Sequence, residues 1–141
     1  MTILLECVPN VSEGRDASKV KRIAAAFTSA GGTLLDVSSD ADHHRSVITF
    51  AGTPEEVVAG AVAGARAARD LIDLTQHRGE HPRMGAADVI PFIPLGSADM
   101  GHAVRAAEQA AERIATELGV PTFLYGEAAR APARRDLAWV R

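Results

Sequence analysis

Between His77 and Asp88 the chain reads His-Arg-Gly-Glu-His-Pro-Arg-Met-Gly-Ala-Ala-Asp. This short stretch brings together two imidazoles, two guanidiniums and two carboxylates. Three chemistries compete for it. In acid/base catalysis, His81 or His77 moves a proton near neutral pH and Glu80 or Asp88 orients the ring. Arg78 and Arg83 then bind an anionic substrate through planar, bidentate forks. In a zinc site, His77, Glu80 and His81 supply the H-x-x-E-H spacing of some metalloproteases. That spacing needs a helix to put both rings on one face. Gly79 within it and Pro82 just after it work against one, and the single cysteine provides no thiolate cluster. No metal is therefore assigned. In the third reading the stretch is a polar surface loop with solvated histidines. Pro82 fixes its own φ and pushes His81 toward extended backbone.

Such a stretch needs elements to hold it, and composition bounds what they are. The 141 residues suit one domain spanning 1–141. Hydrophobic residues make up 47% and aromatics only 4%, so the core is expected to rest on Ala, Val, Ile and Leu. The net charge of −3 comes from 15 basic and 18 acidic residues in mixed order. That is no electrostatic footprint for nucleic acid. No apolar run approaches the roughly 20 residues of a membrane span, and Met1 to Glu6 has no basic region of a signal peptide. Cys7, the lone cysteine, fits a reducing cytoplasm. It sits in an apolar strand pattern, as a small buried hydrophobe.

Taken in order, Ile3 to Val8 reads as a strand ended by Pro9-Asn10. Asp16 is a good N-cap for a helix whose apolar face is Val20, Ile23, Ala24 and Phe27; Gly31-Gly32 closes it. A strand follows over Thr33 to Val37, then a polar turn from Ser38 to His44. The next strand runs from Arg45 to Ala51, with Val47 and Thr49 on one face and Ile48 and Phe50 on the other. Thr53-Pro54-Glu55-Glu56 starts a helix with a capping box, expected to reach about Leu74. Its small residues Gly60, Ala61, Gly64, Ala65 and Ala68 suit close approach to a sheet. Val89 to Leu95 is a strand at an edge or bent, because Pro91 and Pro94 withhold amides. Ser97 caps a helix to Leu118, with Met100, Ala103, Val104, Ala107, Ala111, Ile114 and Leu118 inward and His102 solvated. Gly119 stops it. Pro121 to Tyr125 is a last strand, and Glu127 to Arg141 a polar, basic broken helix. The order βαββαβ followed by αβ predicts an α+β, ferredoxin-like split βαβ sandwich. Its sheet is mostly antiparallel, with helices on one face.

Three separated segments carry a resemblance: Glu6-Cys-Val-Pro-Asn-Val-Ser-Glu-Gly14, His77 to Asp88, and Leu124-Tyr-Gly-Glu-Ala-Ala129. Together, in this order and over nearly the whole chain, they resemble the N-terminal subdomain of the formiminotransferase family. The resemblance implies transfer of a formimino group from N-formimino-L-glutamate to N5 of tetrahydrofolate, in histidine degradation. It implies a pair of ferredoxin-like subdomains with the folate between them, and His81 as catalytic acid/base. The attacking N5 sheds a proton, and the leaving glutamate nitrogen gains one. One imidazole of near-neutral pKa serves both steps.

Arg83, Arg78, Arg45 and Glu80 are the candidate substrate-binding residues of the loop and strand. The family commonly has Asn-Arg where this chain has His44-Arg45, so the arginine is kept. Arg45 is either a substrate ligand or a solvated charge at a strand end. Asn10 and Ser12, with Glu13, either line the same cleft or make turn hydrogen bonds to the backbone. Tyr125 and Glu127 are cleft residues or a strand end. The family's unit also has a second subdomain. The open sheet face is accordingly expected to pair with such a subdomain or, as a homodimer, with a second copy. Besides the transferase, two alternatives are kept: a non-catalytic folate- or anion-binding module, and a zinc hydrolase through His77, Glu80 and His81.

Overall fold

A computed structural model of the chain describes residues 2–72 and 86–129. The architecture is α+β. An antiparallel sheet of β1 (Leu4–Cys7), β2 (Asn10–Val11), β3 (Thr33–Asp40), β4 (Arg45–Gly52), β5 (Ala87–Val89) and β6 (Phe92–Leu95) packs with α1 (Ala17–Phe27), α2 (Pro54–Leu71) and α3 (Met100–Arg113).

Prolines decide how the strands are cut. The expected Ile3–Val8 strand is Leu4–Cys7. The chain resumes pairing at Asn10–Val11, beyond Pro9. Both pieces lie along the same edge of β4, with Leu5 opposite Gly52 and Asn10 opposite Val47. In the same way the expected Val89–Leu95 strand is broken around Pro91 into β5 and β6. β6 pairs with β1 and β5 with β2, so these two end the strand order β5-β2-β4-β1-β6. A proline is tolerated there because an outer edge asks for no ladder amide. β3 takes the other edge of β4 and runs to Asp40, not Val37. Ser38, Ser39 and Asp40 find partners in Val47, Ser46 and Arg45, which shrinks the polar turn to residues 41–44.

The helices begin where side chains can satisfy their first amides. Asp16 accepts from the N–H groups of Ser18 and Lys19. Thr53 and Glu56 form the expected capping box. α3 departs from expectation: its N-cap is Asp99, not Ser97. The Asp99 carboxylate accepts the His102 N–H, and His102 Nδ1 in turn accepts the Asp99 N–H. His102 is thus a capping partner and not a solvated bystander. α2 ends at Leu71, with Ile72 as its extended C-cap. α3 passes into a π-helical turn over Ile114–Leu118, and Gly119 stops it by donating to the Ala115 carbonyl.

Leu5, Cys7, Val11, Ile48 and Phe50 from the sheet share one buried cluster with Ile23, Ala24 and Phe27 of α1, Val57, Val58, Ala61 and Ala68 of α2, and Ala103, Ala106 and Ala110 of α3. The small residues of α2 do bring it close to a neighbour, but the neighbour at Gly64 is a helix. A Cβ at Gly64 would collide with the Phe27 ring of α1. That ring lies 5.7 Å from the Phe50 ring, and both are fully buried. Fully burying a phenylalanine contributes about 1.5–3 kcal/mol, so the glycine notch fixes the separation of α1 and α2.

Two apolar expectations fail. Met100 is 48% exposed, because the inward face of α3 is Ala103, Ala106, Ala110, Ile114 and Leu118. Residues 121–125 form no strand. Thr122 Oγ1 instead donates to the Ala111 carbonyl of α3, and Val120 packs on the Val62, Ala65, Ile114 and Leu118 cluster. The segment is tethered to α3 through Thr122 and not buried in a ladder, and Phe123 stays 49% exposed.

Gly64→Ala is expected to lower stability. Relief of glycine's helix penalty stabilises by about 1 kcal/mol, while overpacking a locked aromatic costs about 1–3 kcal/mol. A fall in Tm of up to roughly 7 °C by calorimetry is the expected outcome; a raised Tm would show that Phe27 yields freely. Burial pushes the Cys7 thiol well above its ordinary pKa. Iodoacetamide at mildly alkaline pH should therefore leave the native chain unmodified and react fully in denaturant. Rapid labelling of the native chain would contradict this.

Candidate functional site

The segment that carries His77, Arg78, Glu80, His81 and Arg83 lies outside the described residues. Its return to the sheet is described. The backbone N–H of Ser12 donates to the carbonyl of Ala86 at 2.8 Å, and β5 then pairs with β2, Val11 opposite Ala87 and Asn10 opposite Val89. The register shifts between those two pairs, so Asp88 stands in a bulge, a device that re-aims side chains near functional sites.

Pleating sorts the candidates between faces. In β4, Ser46, Ile48 and Phe50 are buried, whereas Arg45, Val47 and Thr49 are half-buried on the opposite face. Asn10 is opposite Val47. That register puts Asn10 and Arg45 on the face turned away from the helices, as diagonal neighbours on adjacent strands. Asn10 also donates through Nδ2 to the Val8 carbonyl at 3.3 Å, the turn role weighed for it. Ser12 and Glu13 do not share that half-exposed setting. They are 2% and 6% exposed and sit where loop 12–16 crosses the end of the β3–β4 hairpin.

That crossing is tightly built. A Cβ on Gly14 would strike the Asp40 carbonyl and the backbone N and O of Arg45, so only glycine lets the two backbones approach this closely. The Gly14 N–H donates to His44 Nδ1 at 3.0 Å. Ser46 Oγ donates to the Glu13 carbonyl at 2.5 Å and meets Ser39 Oγ at 2.8 Å. Glu13 Oε2 accepts from the N–H groups of Arg15 and Asp16. It also lies 3.4 Å from His44 Nδ1. Because Nδ1 receives the Gly14 N–H, it carries no proton, and that approach is no hydrogen bond in this tautomer.

Nothing local in the sequence announces this crossing, since Gly14 and His44 are thirty residues apart. The one available signal was Ser-Glu-Gly beside a strand end.

Next to it, Asp40 organises the hairpin turn. Its Oδ1 accepts from the N–H groups of Asp42 and His43 at 3.0 and 3.2 Å, and its Oδ2 lies 2.6 Å from His43 Nδ1. The His43 backbone N–H foremost, then its ring, holds the Asp40 carboxyl below its ordinary pKa.

A cavity of about 530 Å³ opens on the other side of β5. Phe92, Val104 and Ala107 make its apolar wall, and Asp88, Tyr125 and Glu127 bring polar groups to it. Tyr125 and Glu127 thus line a cleft and do not end a strand. Among the described residues no three His, Cys, Asp or Glu side chains converge as metal ligands, and no helix is long and apolar enough to cross a membrane.

The profile of the formiminotransferase domain, N-terminal subdomain, matches residues 4–141. The chain belongs to the formiminotransferase family. Its relatives include a glutamate formimidoyltransferase of Thermoplasma acidophilum, 52% identical over 139 residues, covering 98% of this chain and 46% of that protein. The formimidoyltransferase-cyclodeaminase of Sus scrofa is 51% identical over 142 residues, covering all of this chain and 26% of that protein. A glutamate formimidoyltransferase of Streptococcus pyogenes is 45% identical over 142 residues, covering 48% of its length. The chain thus spans about half the length of the two formimidoyltransferases.

The Asp40 turn predicts a pH response with a defined sign. Its folded pKa lies below the unfolded value, so the stabilisation is complete above the unfolded pKa. It is lost as the pH falls through the folded one. In an NMR acid titration the Asp42 and His43 amides should shift with a midpoint below about 3.9, the value of an unstructured aspartate. A midpoint at or above that value would show that the turn does not hold the carboxylate.

Proposed function

We propose that this protein serves a transferase that moves a formimino group from N-formimino-L-glutamate to N5 of tetrahydrofolate. One geometric observation carries the reading. The loop bearing Glu80-His81-Pro82-Arg83 returns to the sheet at Ala86, hydrogen-bonded to Ser12, directly beyond β2 with its Asn10 and one strand further from Arg45. Asn10, Arg45 and the return point Ala86 lie at one end of the sheet, which supports reading a potential acid/base and potential carboxylate ligands as acting there. The relatives named as glutamate formimidoyltransferases support the same chemistry.

In this reading His81 accepts the proton that N5 loses as it adds to the amidine carbon, then delivers it to the departing glutamate nitrogen. Arg83, Arg78 and Arg45 hold the carboxylates of formiminoglutamate and of the folate tail by charge-assisted hydrogen bonds. Glu80 orients the imidazole, and Asn10 and Ser12 complete the floor. Tetrahydrofolate is a substrate here and not a resident cofactor.

We also read the sheet as the split βαβ arrangement. The support is that the interrupted row β1–β2 lies between β4 and the interrupted row β6–β5, with β3 outside β4 and every pairing antiparallel. The sheet face away from the helices carries exposed Leu4 and Ile93, opposite residues of the antiparallel β1–β6 pair being Leu95 and Glu6. This face is where a second subdomain, or a second copy across a two-fold axis, would close the cleft.

Turnover of formiminoglutamate with tetrahydrofolate tests the proposal. His81→Ala should lower the rate about 10²–10⁴-fold with the fold intact, and His77→Ala far less. Equal losses would sink the assignment of His81. Arg83→Lys should raise KM with near-normal turnover, because an ammonium does not reproduce the fork; unchanged kinetics would remove Arg83 from the site. Binding of both substrates without turnover would point to the non-catalytic module instead.

A further inference from the structure

His44 is the only non-glycine residue with a positive φ among the described residues, at 52°. It stands immediately before Arg45, the first residue of β4. Left-handed backbone is costly for most side chains and best tolerated by Gly, Asn, Asp and His. Here it is accompanied by a specific contact. The turn aims Nδ1 back at the Gly14 N–H, 3.0 Å away and far off in sequence, and the ring is 13% exposed. On the other side of Arg45, Ser46 Oγ holds the carbonyl of Glu13. Arg45 is therefore bracketed. The residue before it and the residue after it each bind loop 13–14, while Gly14 lies flush against Arg45's own backbone. The adjoining Ser12 N–H holds Ala86, where the loop of His81 returns. One short loop is thus the common reference for Arg45 and for that return point.

We propose that His44 is a positioning residue. Through its left-handed backbone and its Nδ1 acceptor it fixes Arg45 relative to loop 12–14, so that Arg45 meets an anionic carboxylate substrate in a set orientation. The role of Arg45 toward substrate rests on the function proposed above. The positioning by His44 does not, and the two are tested apart.

Three substitutions separate the two features of His44. His44→Asn keeps tolerance of positive φ and places Oδ1 where Nδ1 stands. His44→Gly keeps the backbone and removes the acceptor. His44→Ala loses both. The first readout uses the chain without ligand: the chemical shift and ¹⁵N relaxation of Arg45 Nε, beside the protection of the Gly14 amide from exchange. His44→Gly and His44→Ala should shift and mobilise Arg45 Nε and expose the Gly14 amide. His44→Asn should restore both. The second readout is titration with formiminoglutamate. Loss of one neutral hydrogen bond corresponds to roughly 2- to 10-fold weaker binding, expected for the Gly and Ala variants and rescued in Asn. Should His44→Ala fail to fold, His44→Gly carries the same comparison without its backbone strain. An Arg45 Nε signal and a Gly14 amide unchanged in His44→Gly would overturn the proposal, as would failure of Asn to restore them. A wild-type chain that ignores formiminoglutamate, while the Arg45 series behaves as expected, would overturn the substrate role of Arg45 and leave the positioning by His44 standing.

Discussion

The sheet is registered on β4. That strand is hydrogen-bonded along both edges, to β3 on one side and to β1 and β2 on the other. Its buried face delivers Ile48 and Phe50 to the core. Phe50 meets Phe27, and Phe27 occupies the notch that Gly64 leaves in α2. A slip of one residue would turn Ile48 and Phe50 outward and Val47 and Thr49 inward, so burial fixes the register. Once the register is fixed, the half-buried face is fixed as well, and with it the positions of Asn10 and Arg45.

The end of the sheet that carries Asn10 and Arg45 is built differently from the core. Its order comes from backbone groups held by side chains: Ser46 on the Glu13 carbonyl, His44 on the Gly14 amide, Glu13 on the amides of Arg15 and Asp16. Each such bond contributes only about 0.5–1.5 kcal/mol net, but leaving a buried partner unsatisfied costs more, about 1–3 kcal/mol. The arrangement therefore resists partial loosening. Such rigidity would serve the proposed planar, directional contact between a guanidinium and a carboxylate.

The outer strand β3 shows the opposite balance. Leu34, Leu35 and Val37 are 45%, 55% and 37% exposed, although Leu34 and Val37 pair with core residues Phe50 and Ile48. The helices do not extend over this edge. The register shift between Leu34 and Asp36 and the charges of Asp36 and Asp40 bend and charge the strand, which discourages indiscriminate edge pairing.

Local chemistry is what the sequence by itself determined. Thr53 and Glu56 define a helix start because a capping box satisfies amides within one turn. The alternation from Arg45 to Ala51 defines a half-buried strand because the pleat has a period of two. Pro91 and Pro94 mark an edge because they lack the amide a central ladder requires. The motifs around His81, Asn10 and Tyr125 carried the family for the same reason: they are contiguous. Tertiary structure decided what depends on partners distant in sequence. Residues 121–125 look like a strand by composition, yet they pair with no described strand and are tied to α3 through Thr122, since apolarity alone does not specify a ladder partner. Ser97 and Asp99 are equally good caps on paper, and the reciprocal bond with His102 chose between them. Gly64 faces a phenylalanine from another helix, and Gly14 faces the backbone of Arg45. Close approach between separate segments leaves no periodic trace in either of them, so only the folded chain could show that His44, read as part of a polar turn, accepts the Gly14 amide thirty residues away.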